Sequence, residues 1–148
     1  FVLAAAGLMR LSLADRIREP LPAELCLPAG GQGAVGIELR SDDALTAARI
    51  APLACAATTR RVIAERALNH RLQGGCQVPI ACYAVQEEGE VLYLRGLVGS
   101  PDGSELLTAE GRAPLADAET LGIGVANLLL AQGADRILQA VHDTHGPG

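Results

Sequence analysis

Three short segments decide the fold, and they read VPIACYAV at 78–85, VLYLRGLV at 91–98 and SELLTAEG at 104–111. In the middle segment the apolar Leu92 and Leu94 lie on either side of Tyr93, an alternation typical of an antiparallel strand buried on one face. The connections are EEG at 87–89 and SPDG at 100–103, both of which favour hairpin turns. The three segments therefore predict a meander of antiparallel strands.

Helical patterns flank these strands. A helix is predicted from Thr58 or Thr59 to about Gln73, with an inward face that consists of Ile63, Ala64, Ala67, Leu68 and Leu72. Asp117 is expected to cap another helix, and Gly133 to separate it from a final one. Residues 55–148 are thus predicted to form an α+β domain, a three-stranded antiparallel sheet covered by helices.

Residues 1–54 are predicted to form an incomplete α/β segment. It comprises a helix end through residue 11, short strands at 25–27 and 35–39, and a helix starting near 41–43. The apolar opening FVLAAAGLM at 1–9 has no basic residues before it, which argues against a signal peptide. We expect the chain to begin inside an element of a longer protein, with a surface that self-association or a second fragment would cover.

Composition excludes several functional classes. The chain has 148 residues, 49% of them hydrophobic, and a formal net charge of −5. The apolar content argues against disorder, and the lack of an uninterrupted apolar run of about 20 residues argues against a membrane span. The acidity and the 2% aromatic content argue against nucleic-acid binding, which uses basic faces and stacking platforms.

The cysteines are Cys26, Cys55, Cys76 and Cys82. No pair has C-x-x-C spacing, so no metal site is predicted, and each is expected by default to be a small buried hydrophobe. Cys76 differs because it follows Gly74-Gly75, a tight bend that tends to present a side chain outward. It is the candidate reactive thiol, although no histidine is placed to act as its base.

Two further features leave alternatives open. The glycine-rich loop at 28–34 precedes a predicted strand, which is the wrong order for a phosphate loop, so it is either a hinge or a place where the Gln32 amide meets a ligand. Arg10 ends an apolar helical stretch and serves either carboxylate binding or solubility. Most other arginines, Arg66 among them, are expected on a solvated face.

Four strings together resemble the porphobilinogen deaminase family, and they read LAAAGLMRL at 3–11, LPAGGQGAVGIE at 27–38, AERA at 64–67 and LQGGCQVPIA at 72–81. The resemblance spans essentially the whole chain and implies the C-terminal half of a three-domain protein. That half would comprise the end of the second domain, the return strand of the first, and the complete third. It implies a dipyrromethane cofactor bound covalently to Cys76 as a thioether. It also implies cofactor contacts from Ala4, Arg10, Gln32 and Gly33.

The resemblance further implies a cytoplasmic transferase of porphyrin and haem biosynthesis. Such an enzyme polymerises porphobilinogen into hydroxymethylbilane through polypyrrole intermediates held on the cofactor. The family's catalytic aspartate belongs to the N-terminal half, so no catalytic residue is assigned in this sequence and the chain alone is predicted to be inactive. Arg66 keeps a structural interpretation, an ion pair with Glu65 or a neighbour. The alternatives are a non-catalytic α+β interaction module and, less supported, a cysteine redox protein.

Overall fold

A computed structural model describes residues 2–73 and 78–145, without the side chains of His142, Thr144 and His145. The elements are α1 (Ala5–Arg10), α2 (Ala44–Ile50), α3 (Ala56–Arg71), β1 (Ile80–Glu87), β2 (Val91–Gly99), β3 (Leu106–Pro114), α4 (Ala118–Ala131) and α5 (Ala134–His145). Short 3₁₀ turns cover Ala14–Arg16, Ala51–Leu53 and Leu115–Asp117.

The strands form the predicted meander, a three-stranded antiparallel sheet in the order β1-β2-β3. Tyr83 pairs with Arg95 across the first hairpin, and Leu94 pairs with Gly111 across the second. Gly89 and Gly103 have φ of 75° and 73°, the left-handed conformation that such turns require and glycine adopts without strain. The turn chemistry in the sequence thus set the strand pairing.

One face of the sheet packs against α3 and α4, which confirms the α+β class. Leu92, Leu94 and Val98 of β2 point to this face and have 0% exposure. A Cβ on Gly96 would lie 2.7 Å from Cδ1 of Leu68, so the absence of a side chain there lets α3 approach the sheet closely. The helices and their ends contribute to the core the side chains of Ala64, Leu68, Leu72, Ala118, Leu121, Val125, Ala126, Leu129, Ala134, Ile137 and Leu138.

The first part of the chain has less regular structure than predicted. The expected strands at 25–27 and 35–39 are wrong, because neither segment pairs with a strand in the described residues. The helix predicted near 41–43 is present as α2, and the Asp43 side chain caps it by accepting a 2.9 Å hydrogen bond from Thr46 N. The carboxylate of Glu24 joins this part to the sheet through a 2.9 Å ion pair with Arg95 of β2.

Three local predictions also need correction. Helix α3 begins at Ala56 with Cys55 as its N-cap, earlier than Thr58 or Thr59. Helix α1 is short, and its apolar neighbour Val2 is 77% exposed. On α4, the spacing of Leu121, Val125, Leu128 and Leu129 predicts one apolar stripe, but Leu128 is half exposed because it lies on the side of the helix that faces away from the core.

Candidate functional site

The segment that contains Cys76 lies outside the described residues, which stop at Gln73 and resume at Val78. The residues on both sides of this segment make defined contacts. Leu72 is 3% exposed and belongs to the core, and Gln73 adopts a left-handed φ of 54°, which turns the chain away from the axis of α3. On the other side, the Pro79 carbonyl accepts a 3.0 Å hydrogen bond from Gly99 N, and β1 starts at Ile80. The segment therefore bridges the end of α3 and the start of β1.

The glycine-rich loop at 28–34 lies against the same domain. The Pro28 carbonyl accepts a 3.0 Å hydrogen bond from the Cys82 amide of β1. Gly31 and Gly33 have φ of 76° and 80°, so the chain makes consecutive tight turns that L side chains rarely adopt. Gln32, between them, is exposed. The loop thus presents the Gln32 side chain to solvent while its first residues are fixed to β1.

Glu65 of α3 binds the glycine-rich loop through its side chain. Its side chain is 6% exposed, its Oε2 accepts a 2.7 Å hydrogen bond from Gly31 N, and its Oε1 accepts another from Ala84 N at 2.7 Å. Of the ion pair predicted for Arg66 with Glu65 or a neighbour, the Glu65 alternative is wrong, because both Glu65 oxygens bind backbone amides and consecutive residues of a helix point in different directions. Arg66 is exposed instead. Nothing in the sequence pattern distinguishes Glu65 from an ordinary surface glutamate.

Cys82 is the buried neighbour of this carboxylate. It is fully buried, and its thiol donates a 3.7 Å hydrogen bond to the Glu65 carbonyl. Burial, assisted by the Glu65 charge, raises the pKa of the Cys82 thiol to about 12. The default expectation of a small buried hydrophobe is therefore confirmed for Cys82, which is protonated and unreactive at neutral pH.

Cys55 departs from that expectation. It is exposed at the N-terminus of α3, and its sulfur accepts a 3.3 Å hydrogen bond from the Thr58 hydroxyl. This hydrogen bond lowers the pKa of the Cys55 thiol, and the charge of Arg61 contributes in the same direction. Cys26 is also exposed. Because the helix was predicted to start at Thr58 or Thr59, no signal in the sequence marked Cys55 as the residue that precedes it.

A broad open groove of about 1480 Å³ runs between the glycine-rich loop, the segment at 50–55 and the outer side of α3. Gly31 and Gly33 line it, and so do the apolar side chains of Val35, Ile37, Ile50, Leu53, Val62, Ile63 and Ile123. The polar lining comprises Cys55, Thr58, Thr59, Arg66, His70, Arg71 and Glu119. An apolar floor with two guanidinium groups suits a ligand that combines aromatic rings with carboxylates.

The predicted site residues divide between this groove and the surface outside it. Gly33 lines the groove. Gln32 is exposed on the same loop, whereas Ala4 and Arg10 are exposed at the two ends of α1. Neither Ala4 nor Arg10 contributes to the groove lining. The cofactor-binding roles of Ala4, Arg10, Gln32, Gly33 and Cys76 stay predictions.

Within residues 2–73 and 78–145, no three or more His, Cys, Asp or Glu side chains come together in a way that would hold a metal ion. In the same part of the molecule, none of the helices combines the length and the apolar content needed to cross a membrane.

Comparison with known families gives two matches. Residues 59–131 match the family model described as porphobilinogen deaminase, C-terminal domain. Residues 1–48 match the one described as porphobilinogen deaminase, dipyromethane cofactor binding domain. Cys76 falls in the first match, whereas Ala4, Arg10, Gln32 and Gly33 fall in the second. The two matches together span most of the chain.

Proposed function

Because the chain belongs to the porphobilinogen deaminase family of transferases, which act in tetrapyrrole biosynthesis and carry a dipyrromethane cofactor, we propose that Cys76 binds this cofactor through a thioether. The supporting observations are that Leu72, before the segment that contains Cys76, is buried in the core, and that Ile80, after it, starts β1, the strand to which the glycine-rich loop is hydrogen-bonded at Cys82. A thiolate is a soft nucleophile, and the carbon–sulfur bond that it forms resists hydrolysis. A permanent attachment is therefore chemically reasonable at this position.

The described residues fit such a group. The groove lining includes two guanidinium groups, those of Arg66 and Arg71, and a guanidinium group can form bidentate hydrogen bonds with a carboxylate. The Nε of Arg71 also donates a 3.0 Å hydrogen bond to Oδ1 of Asn127. The acetate and propionate groups of pyrroles supply such carboxylates, and the apolar lining suits the rings. When bound, the cofactor supplies the primer to which porphobilinogen units are added, until hydroxymethylbilane is released. In this proposal Arg66, which is exposed as expected, also serves the ligand.

We further propose that the chain alone does not make hydroxymethylbilane and that an N-terminal half of the same protein completes it. The family's catalytic aspartate is expected in that half. The apolar side chains exposed in the first 54 residues support the need for a covering surface, and the most exposed are Val2, Leu3, Leu11, Leu25, Val35 and Leu53. Product formed by the isolated 148-residue chain would contradict the proposal.

The same exposed surface supports self-association of the isolated chain. Sedimentation velocity over a tenfold range of concentration measures it, and a monomer throughout would contradict the idea. A cytoplasmic location belongs to the same functional proposal, because the pathway's soluble substrates are expected there. Cell fractionation with an antibody against the chain tests it, and recovery in a membrane or secreted fraction would contradict it.

Intact-mass spectrometry of the protein at its full natural length, made in cells that produce porphobilinogen, tests the attachment. The native protein should carry the added mass of a dipyrromethane and give a coloured adduct with Ehrlich's aldehyde reagent. Cys76→Ser should lose both signals together with product formation. Cys26→Ser, a change of an exposed thiol outside the groove, should keep all three.

Full turnover by Cys76→Ser, or an active native protein in which Cys76 is unmodified, would contradict the assignment. A protein that folds and binds a partner but shows neither added mass nor turnover would favour the non-catalytic interaction module instead.

A further inference from the structure

The carboxylate of Glu65 joins the glycine-rich loop, helix α3 and strand β1 through two hydrogen bonds. Both of its oxygens are used, by Gly31 N and Ala84 N, each at 2.7 Å. The side chain is 6% exposed, so these bonds are largely protected from competition with water. Hydrogen bonds to a charged acceptor in such a place are stronger than those between neutral groups.

Close packing reinforces the same junction. A Cβ on Gly30 would lie 2.8 Å from the Cys82 sulfur and 3.8 Å from the Glu65 Cβ. The loop backbone therefore lies directly on the side chains of α3 and β1. The hydrogen bond from Cys82 N to the Pro28 carbonyl, at 3.0 Å, fixes the start of the loop on the same strand. Loop, helix and strand are thus held as one unit around Glu65.

From this geometry we propose that Glu65 is a positioning residue, which sets the place of the loop at 30–33 relative to helix α3 and strand β1, the two elements between which Cys76 lies in the sequence. The inference rests on the proposed function of Cys76. Arg71, the last residue of α3, lies six positions after Glu65, which is a rise of about 9 Å along the helix. The same helix therefore holds the loop through Glu65 and ends five residues before Cys76 in the sequence.

A carboxylate is required for this role. Glutamine would replace one of the two acceptor oxygens with an NH₂ donor, which would face a backbone N–H and form no hydrogen bond with it. Aspartate keeps both oxygens but is one methylene shorter, so it reaches one partner and not both. Alanine leaves two buried N–H groups without acceptors, which is the most costly of the three changes.

Hydrogen–deuterium exchange of the 148-residue chain tests the junction directly. Glu65→Gln should speed exchange at Gly31 or Ala84 by about tenfold or more, while amides in the β2–β3 hairpin stay as in the native chain. Glu88→Gln is the matched control, since Glu88 is an exposed glutamate on the β1–β2 turn and its change should alter neither amide. Unchanged exchange at both amides in Glu65→Gln would overturn the inference.

The second measurement tests whether the two hydrogen bonds of Glu65 affect attachment of the cofactor. In the full-length protein, Glu65→Gln should lower the fraction that carries the dipyrromethane mass, and Glu65→Asp should restore part of it. Gly111→Ala controls for lost stability, because its Cβ would crowd Leu121 and Val125 at 3.0 and 3.1 Å, away from the loop. It should keep full occupancy.

The outcomes separate the two proposals. Faster exchange with full occupancy in Glu65→Gln would overturn the positioning role and leave the function of Cys76 standing. Equal loss of occupancy in Gly111→Ala would also overturn it, since general destabilisation would then suffice. Absence of the added mass from the active native protein would overturn the proposed function, and the positioning role with it.

Discussion

Gly122 is where helix α4 crosses helix α3 at its closest, and adding one methyl group there should separate the two helices. A Cβ at Gly122 would lie 2.3 Å from the backbone oxygen of Ala64 and 2.6 Å from the Cβ of Ala67. Neither atom can rotate away, because one belongs to the backbone of α3 and the other is fixed to it. The helices must therefore move apart or tilt.

Two effects of Gly122→Ala oppose each other. Alanine favours the helix over glycine by about 1 kcal/mol. Overpacking in a dense core costs about 1–3 kcal/mol, and the backbone contact places this site at the upper end of that range. The net result should be a loss of about 2 kcal/mol in the free energy of unfolding. For a protein of this size that corresponds to a melting temperature lower by about 4–8 °C.

Urea unfolding followed by far-UV circular dichroism measures the change, and the same helix offers a matched control. A Cβ on Gly124 would meet nothing within 4 Å, so Gly124→Ala should raise the free energy of unfolding by about 0.5–1 kcal/mol. If Gly122→Ala proved as stable as Gly124→Ala, the close crossing of α3 and α4 would be refuted.

Three further outcomes follow from single contacts. Gly30→Ala should destabilise the chain because its Cβ would meet the Cys82 sulfur at 2.8 Å. The double variant with Cys82→Ala should lose less free energy of unfolding than the sum of the two single variants. Additive losses in urea unfolding would contradict the contact. Iodoacetamide at pH 8 should alkylate Cys55 well before Cys82. The Cys55 thiol is exposed and has a lowered pKa, whereas burial raises the pKa of the Cys82 thiol to about 12. Peptide mass mapping measures the order, and faster alkylation of Cys82 would contradict the prediction. Hydrogen bonds from Ser100 and Ser104 lower the pKa of Asp102 from 3.8 to about 2, so its contribution to stability is present above pH 3.8 and is lost as the pH falls through about 2. An NMR titration of Asp102 with a midpoint near 4 would contradict those bonds, and Asp102→Asn should remove this part of the acid sensitivity.

The predicted and observed folds agree best where the prediction rests on neighbouring residues in the sequence. The alternation of Leu92 and Leu94 with Tyr93, together with the glycines of the two turns, predicted a meander whose strands lie within three residues of the expected positions. The stripe on α3 that includes Ala64 and Leu68 predicted the buried face. Side-chain periodicity depends only on backbone geometry, so neighbouring residues suffice to read it.

Predictions that depended on contacts with residues far away in the sequence were less accurate. The segment at 35–39 alternates as a strand does, yet it forms no ladder, because no strand in the described chain lies beside it. Alternation gives a segment two faces but does not supply a hydrogen-bonding neighbour. Cys55 was expected to be buried and is exposed, since its place before α3 depends on how the preceding turn meets the domain.

The sequence by itself determined the meander, the helices that cover it, and the resemblance that drew attention to Cys76 and to Gly33. Only the tertiary structure decided that Glu65 is buried with both oxygens bonded to backbone amides from residues 34 and 19 positions away along the chain. The physical reason is that these hydrogen bonds join residues that are far apart in the sequence. A carboxylate on a helix looks the same in the sequence whether water or two backbone N–H groups surround it, and only the folded chain brings those amides to it.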